Sequence, residues 1–394
     1  IYCRKLLRWF QEGGTMVNKN RLWAAVLTGL LWGSGAAFAP AVSDLPIGST
    51  AQASARNMVT VVVDGSRTMP GVNAQGQPVY PDIRSALAGL QQIKAGKATL
   101  KLNPGTYREK IEISIPNLTL VGEDAARTVI VWNDAEGTAL RPGDKNGSNK
   151  TYVMECASVK VTEKARNFQA VNLTFQNDFP TEARRADKTM KSVQAFALTN
   201  EADQSSFYNC RFLGRQDTLY ANAGKQYYKD CYIEGDVDFI FGQASAAVFE
   251  NCEIRSLDRA GNGGKGYVTA PSTLAQDKGY LFYRCHLVSD IEAPDYGMLG
   301  RPWHPSSEKR AVNSAAVFRE CQIDTVMKDK AWNSMKNKYG EFQPEDNRLF
   351  EYKNTGIGVV PGGNRRQLTD EQARAYTPQA FLAGWQPEKR VDRL

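Results

Sequence analysis

Apolar residues in this chain come mostly in short alternating runs, not in helical stripes, and one such run recurs. An aromatic residue, two mostly polar residues, a cysteine, any residue and an apolar residue occupy positions 207–212 around Cys210, 228–233 around Cys231, 249–254 around Cys252, 282–287 around Cys285 and 318–323 around Cys321. Each run reads as a short strand with alternating faces. Cys210, Cys231 and Cys252 are 21 residues apart, and the later intervals lengthen to 33 and 36. A fixed period of this size marks a solenoid. No Leu-x-x-Leu-x-Leu frame and no amphipathic helical repeat accompanies it, and Val, Phe, Tyr and Ile dominate. The expected fold is therefore all-β, a right-handed parallel β-helix with short capping helices at its ends, the longer intervals holding loops that project from a turn.

The same pattern extends back through Leu173 and Leu118, which follow Asn172 and Asn117, so the coil is expected to begin near Val59. Ile83, Ala86, Leu87 and Leu90 have helical spacing and predict a short helix covering the open apolar end of the first turn. Residues 368–383 predict terminal helices packed on the coil. No Pro/Ser-rich linker or charge block divides residues 59–394, which are expected to form one domain. Ahead of it, Lys19, Arg21, an apolar run over 22–32 and small residues ending at Ala39 predict a signal peptide over 16–39. The run falls short of the roughly 20 residues that a membrane-spanning helix needs. The mature protein is thus expected to be secreted or periplasmic, without a membrane anchor; no cysteine lies near the cut to carry a lipid. Residues 40–58 are expected to be a flexible linker, and residues 1–15, which precede Met16, translated upstream sequence.

The chain has 49 basic and 42 acidic residues. Residues 1–39 hold five of the basic and one of the acidic, which leaves 44 and 41, scattered among one another. No concentrated basic stripe with interleaved aromatics is present, so nucleic acid is not an expected partner. A coil of this length buries its own core and is expected to be a monomer.

The recurrent cysteines, and Cys156 before them, read as small core residues stacked one per turn. For Cys231 and Cys252 a second reading stays open. Adjacent turns would place their Cα atoms about 4.8 Å apart, inside the range a disulfide accepts. No Cys-x-x-Cys pair or clustered His occurs, so neither metal nor another cofactor is expected.

The same period carries candidate chemistry. Asp217 lies seven residues after Cys210, and Asp238 seven after Cys231, so the two acids fall in register on successive turns. At neighbouring-strand distance both cannot ionise cheaply, and one should hold its proton while the other stays charged. A proton donor beside an ionised nucleophile is what ester cleavage requires without metal or histidine. The chain has only two histidines and neither Gly-x-Ser-x-Gly nor His-Glu-x-x-His, which disfavours a Ser-His-Asp hydrolase and a metallohydrolase of that kind. A lone Asp near a strand end is usually a turn residue. Asp238, however, is embedded in the apolar stretch Val237-Asp238-Phe239-Ile240-Phe241, where an unpaired acid is costly.

Five separated motifs then resemble the pectin methylesterase family, in that family's order and over nearly all of the mature region. They are Gly105-Thr106-Tyr107-Arg108-Glu109, Gln194-Ala195-Phe196-Ala197-Leu198, Gln216-Asp217-Thr218-Leu219-Tyr220, Asp236-Val237-Asp238-Phe239-Ile240-Phe241-Gly242 and Leu299-Gly300-Arg301-Pro302-Trp303. The absence of room for an inhibitor-like pro-region between Ala39 and Val59 points to the bacterial type. The resemblance implies a metal-independent esterase acting on methyl-esterified pectin. In it Asp238 would be the nucleophile, Asp217 the acid and base, Gln194 and Gln216 the oxyanion donors, and Arg301 the partner of Asp238. Trp303, Phe241 and Tyr220 match positions that line the sugar cleft, although core packing competes for Phe241. Glu109 and Tyr107 are expected to shape an early turn, and the Gly-rich stretch 258–266 to form a loop beside the cleft. A lyase or galacturonase on the same fold, and a non-catalytic β-helix that binds acidic polysaccharide, are the alternatives; methanol release from pectin separates all three.

Overall fold

Successive turns of the chain stack their strands in register, so that a residue meets its counterpart one turn away and not its sequence neighbours. The computed structural model describes residues 58–390, apart from 94–95, 139–152, 188–191, 260–265, 291–296, 326–329 and 361. The predicted signal peptide, the upstream residues, nearly all of the linker and most of the Gly-rich loop lie outside the described residues.

Among the described residues three sheets of 12, 8 and 7 strands run along the coil, all parallel except that Gly71–Val72 lies antiparallel to Pro78–Tyr80. In the first, Met58–Val63 pairs with Pro78–Tyr80 on one side and from Met58↔Lys97 to Val63↔Leu102 on the other, and Arg348–Tyr352 is the far edge. Phe207↔Tyr228, Tyr228↔Phe249, Phe249↔Phe282 and Phe282↔Phe318 are direct partners in it. Their rings stack inside the coil at 4.8, 4.7, 4.8 and 4.2 Å, nearly coplanar. These distances lie near the spacing of adjacent strands. The aromatic position of the sequence repeat is thus a continuous core stack, each pair contributing roughly 0.5–1.5 kcal/mol beyond its buried area.

The repeat is not a single strand, as the alternation predicted. Each one is the end of a strand in the first sheet, a corner, and the start of a strand in the second, as in Ser205–Tyr208, Asn209 and Arg211–Leu213. The corner residue before each cysteine is left-handed: Asn209 at φ 50°, Asp230 at 54°, Asn251 at 53°, Arg284 at 55° and Glu320 at 54°. Asn and Asp adopt this conformation more readily than other side chains with a Cβ. Asn209 also donates through Nδ2 to Asn172 Oδ1 at 2.9 Å, which ties this corner to the one a turn earlier. Asn117 belongs to a different corner, with Asn167 and Gln204, which leads into the first sheet; equating it with Asn172 is corrected by the register.

Cys210, Cys231, Cys252, Cys285 and Cys321 are buried free thiols, and Cys156 is buried as well. The Cys231–Cys252 bridge left open by the sequence is absent. Side chains at equivalent positions of a parallel ladder run side by side about 4.8 Å apart, whereas a disulfide draws its Cβ atoms to about 3.8 Å. The thiols donate to carbonyls instead, Cys231 to Lys229 at 3.4 Å and Cys252 to Tyr228 and Glu250 at 3.5 Å.

Helix α1 (Ile83–Ile93) buries Ile83, Ala86, Leu87 and Leu90, the residues that predicted it. Glu109 from the first motif caps it: its carboxylate accepts from the N–H groups of Ile83 at 2.8 Å and Arg84 at 3.0 Å, where the helix leaves donors unpaired. Tyr107 OH bonds the Asn103 carbonyl at 2.7 Å, so both residues shape the early turn. Helix α2 (Thr181–Asp187) projects from a longer interval. Helices α3 (Asp370–Ala373) and α4 (Pro378–Leu382) lie on the outer face of the first sheet, where Ala373, Phe381 and Leu382 pack with Val171, Tyr208, Val248, Leu281 and Val317. Thr369 and Gln372 form a capping box that starts α3.

Candidate active site

The two acids meet where two adjacent interior strands of the third sheet begin. Leu219–Ala221 pairs with Val237–Gly242 as Leu219↔Ile240 and Tyr220↔Phe241, which sets Asp217 across from Asp238. The Asp217 N–H donates to the Val237 carbonyl at 3.1 Å and holds that register. On its other side Val237–Gly242 pairs as Val237↔Tyr267 and Ile240↔Thr269, so Asp238 and Phe239 together oppose Val268. This is a bulge, a device that re-aims one side chain. Phe239 turns into the core, fully buried, and the space for it exists because residue 235 is glycine: a Cβ there would lie 2.2 Å from the Cβ of Phe239. Asp217 and Asp238 are themselves left-handed, at φ 65° and 50°. Such strain collects at functional sites.

The environments of the two acids differ. Asp238 is bonded by one edge of the Arg301 guanidinium in a fork, Nε to Oδ1 at 2.9 Å and Nη2 to Oδ2. Arg301 lies 4.2 Å over the ring of Tyr267, whose hydroxyl accepts from Asn333 at 2.7 Å. Asp217 has no such fork; it accepts from Gln194 Nε2. Burial pushes the Asp217 carboxyl well above its ordinary range, the charge of Asp238 adds to this, and Gln194 and Arg301 work against it. One acid is thereby paired with a cation, while its neighbour is biased toward the protonated form.

Gln194 is placed by Ser192, whose Oγ bonds Oε1 at 3.2 Å. Gln216 immediately precedes Asp217, and its side-chain amide makes no hydrogen bond among the described residues. Tyr220 and Phe241 stack at 4.5 Å with Phe196 against them, and both are buried. Trp303 packs on Phe241 at 5.7 Å and keeps part of its surface exposed. Of the three aromatics, Trp303 alone presents a substantial face to solvent. Tyr267 and Asn333 were not legible in the sequence, because they belong to no motif and reach the site only through the arginine they support. Among the described residues no group of three or more His, Cys, Asp and Glu could hold a metal ion.

A family model described as Pectinesterase matches residues 71–385. Pectinesterase A of Dickeya chrysanthemi is 37% identical over 308 residues, covering 72% of this chain and 81% of that protein. Pectinesterase 31 of Arabidopsis thaliana is 32% identical over 323 residues, covering 80% of this chain and 92% of that protein. Among solved structures, pectin methylesterase PemA from Erwinia chrysanthemi is similar with a TM-score of 0.73 at 32% identity, covering 83% of this chain and 98% of that one. A pectin methylesterase in complex with hexasaccharide VII is similar with a TM-score of 0.73 at 32% identity, over 84% and 98% of the two chains.

The parallel β-helix and these relatives define the class as carboxylic ester hydrolases that act on pectin. The chain belongs to the pectinesterase family, whose reaction is the de-esterification of methylated pectin.

Proposed function

We propose that Asp238 is the nucleophile and Asp217 the acid and base in demethylation of homogalacturonan. The observation that carries this is the asymmetry of two acids in register: Asp238 is forked by Arg301 while Asp217 is buried beside it with no bonded cation among the described residues. An Asp238 oxygen attacks the ester carbonyl carbon, and the tetrahedral oxyanion is met by the amides of Gln194 and Gln216. Collapse breaks the bond to the methoxy oxygen, which takes the Asp217 proton and leaves as methanol. The resulting anhydride is attacked by water as Asp217 recovers a proton from it. Collapse then frees the Asp238 carboxylate and the galacturonic acid, which releases its proton to solvent. Trp303 offers a stacking face to a sugar ring beside the reacting one.

Export through the segment 16–39 and activity as a monomer without a membrane anchor complete this reading; among the described residues no helix is long and apolar enough to cross a membrane. The test is methanol release from highly methylated pectin by Asp238→Asn, a change that conserves shape. Folded protein with release nearly abolished is the expected outcome. Substantial release would remove Asp238 from the role of nucleophile.

A further inference from the structure

Three segments near the two acids meet in a group of charges that the mechanism does not use. Asp236, two residues before Asp238, is fully buried. Both of its oxygens accept from Arg185 of α2, Oδ1 from Nη2 at 3.0 Å and Oδ2 from Nη1. Arg185 also donates to Glu182 at 2.8 Å. Arg215, which precedes Gln216-Asp217, lies 3.6 Å from Glu182 and 4.0 Å from Asp236. The backbone repeats the tie, with the Asp236 N–H donating to the Arg215 carbonyl at 3.1 Å.

This arrangement is a poor source of stability. Desolvation offsets much of the attraction in a buried pair, and Arg185 Nε is buried with no hydrogen-bond partner among the described residues, which adds a further cost. What a bidentate fork provides is fixed geometry. We propose that Arg185 and Asp236, with Glu182 and Arg215, form a positioning network that anchors α2 and holds the segments bearing Asp217 and Asp238 in catalytic register. The proposal rests on the roles given above to those two acids. It also has an electrostatic consequence. The groups facing Asp217 are Asp238, Arg301 and Asp236, with the Cys156 thiol and Tyr220 hydroxyl nearby. The Asp236 charge is among those that favour the protonated form of Asp217, and Arg185 neutralises it.

The experiment compares Arg185→Lys, Arg185→Met, Asp236→Asn and Arg185→Met/Asp236→Asn for kcat, KM, melting temperature and the pH dependence of methanol release. Loss of the fork should lower kcat on the order of 10- to 100-fold in each single variant, with KM changed much less. Asp217 must be protonated to serve methanol, so activity falls as pH rises through its pKa. That limb should move to higher pH in Arg185→Met, which bares the Asp236 charge, and to lower pH in Asp236→Asn, which removes it. It should return to the wild-type position in the double variant, and stay there in Arg185→Lys while kcat falls. Wild-type kcat in both Arg185→Lys and Asp236→Asn, together with an unmoved limb in Asp236→Asn, whatever the melting temperatures, would overturn the positioning role. Activity retained by Asp238→Asn would overturn the two-acid reading itself, which separates the two failures.

Discussion

Replacing Asp217 with Asn exchanges an acid that the site keeps protonated for a neutral group of the same shape that cannot ionise. In the folded protein Asp217 holds its proton well above the ordinary value of 3.8, because it is buried and faces the Asp238 charge, with Gln194 and Arg301 opposing. In the unfolded chain the same carboxyl ionises near that ordinary value. Between the two values the folded state binds one proton more than the unfolded state. Wild-type stability therefore falls with rising pH across this window, by about 1.4 kcal/mol per pH unit. The contribution is fully present below the unfolded pKa and is lost as pH rises through the folded one. Asp217→Asn escapes that loss. For a folded region of roughly 330 residues, unfolding entropy of ~0.7 kcal/mol/K converts the difference to about 2 °C per pH unit. Melting curves of wild type and variant over a pH series rising from about 4 should show the variant gaining on the wild type by up to that amount per pH unit until the folded-state pKa is passed. Asn tolerates the left-handed φ of 65° and can still accept from Gln194, so no steric penalty hides the effect. Steady-state methanol release should meanwhile fall by about 10²- to 10⁴-fold. A melting difference that stays flat over this range would refute the raised acid, and with it the role of proton donor.

Trp303→Ala should raise KM for oligomeric substrate while lowering the melting temperature less than Trp332→Ala, because Trp332 is 1% exposed and Trp303 is only partly covered; a larger drop for Trp303→Ala would make it a core residue instead. Methanol release should be unchanged by a chelator, and activity that disappears with the chelator and returns with a divalent ion would overturn the two-aspartate mechanism.

The repeat was legible in the sequence because a parallel coil makes residues one turn apart into neighbours. Where two turns have the same length, as from Cys210 to Cys231, a constant spacing is a statement about contact, and it placed Asp217 opposite Asp238 before any coordinate did. The aromatic stack and the capping helix over the first turn followed from the same short-range regularity. What the period could not convey was direction and environment. Only the left-handed corners show that each repeat bends from one sheet into another, and only the side-by-side ladder shows why Cys231 and Cys252 remain thiols. The difference between the two acids was likewise decided in three dimensions. Arg301 reaches Asp238 across 63 residues of irregular intervals, Tyr267 supports the arginine, and Arg185 reaches Asp236 across 51 from a projecting helix. Burial and the charges brought by such long-range contacts set which carboxyl keeps its proton, and they depend on how far each loop carries its residues out of the period.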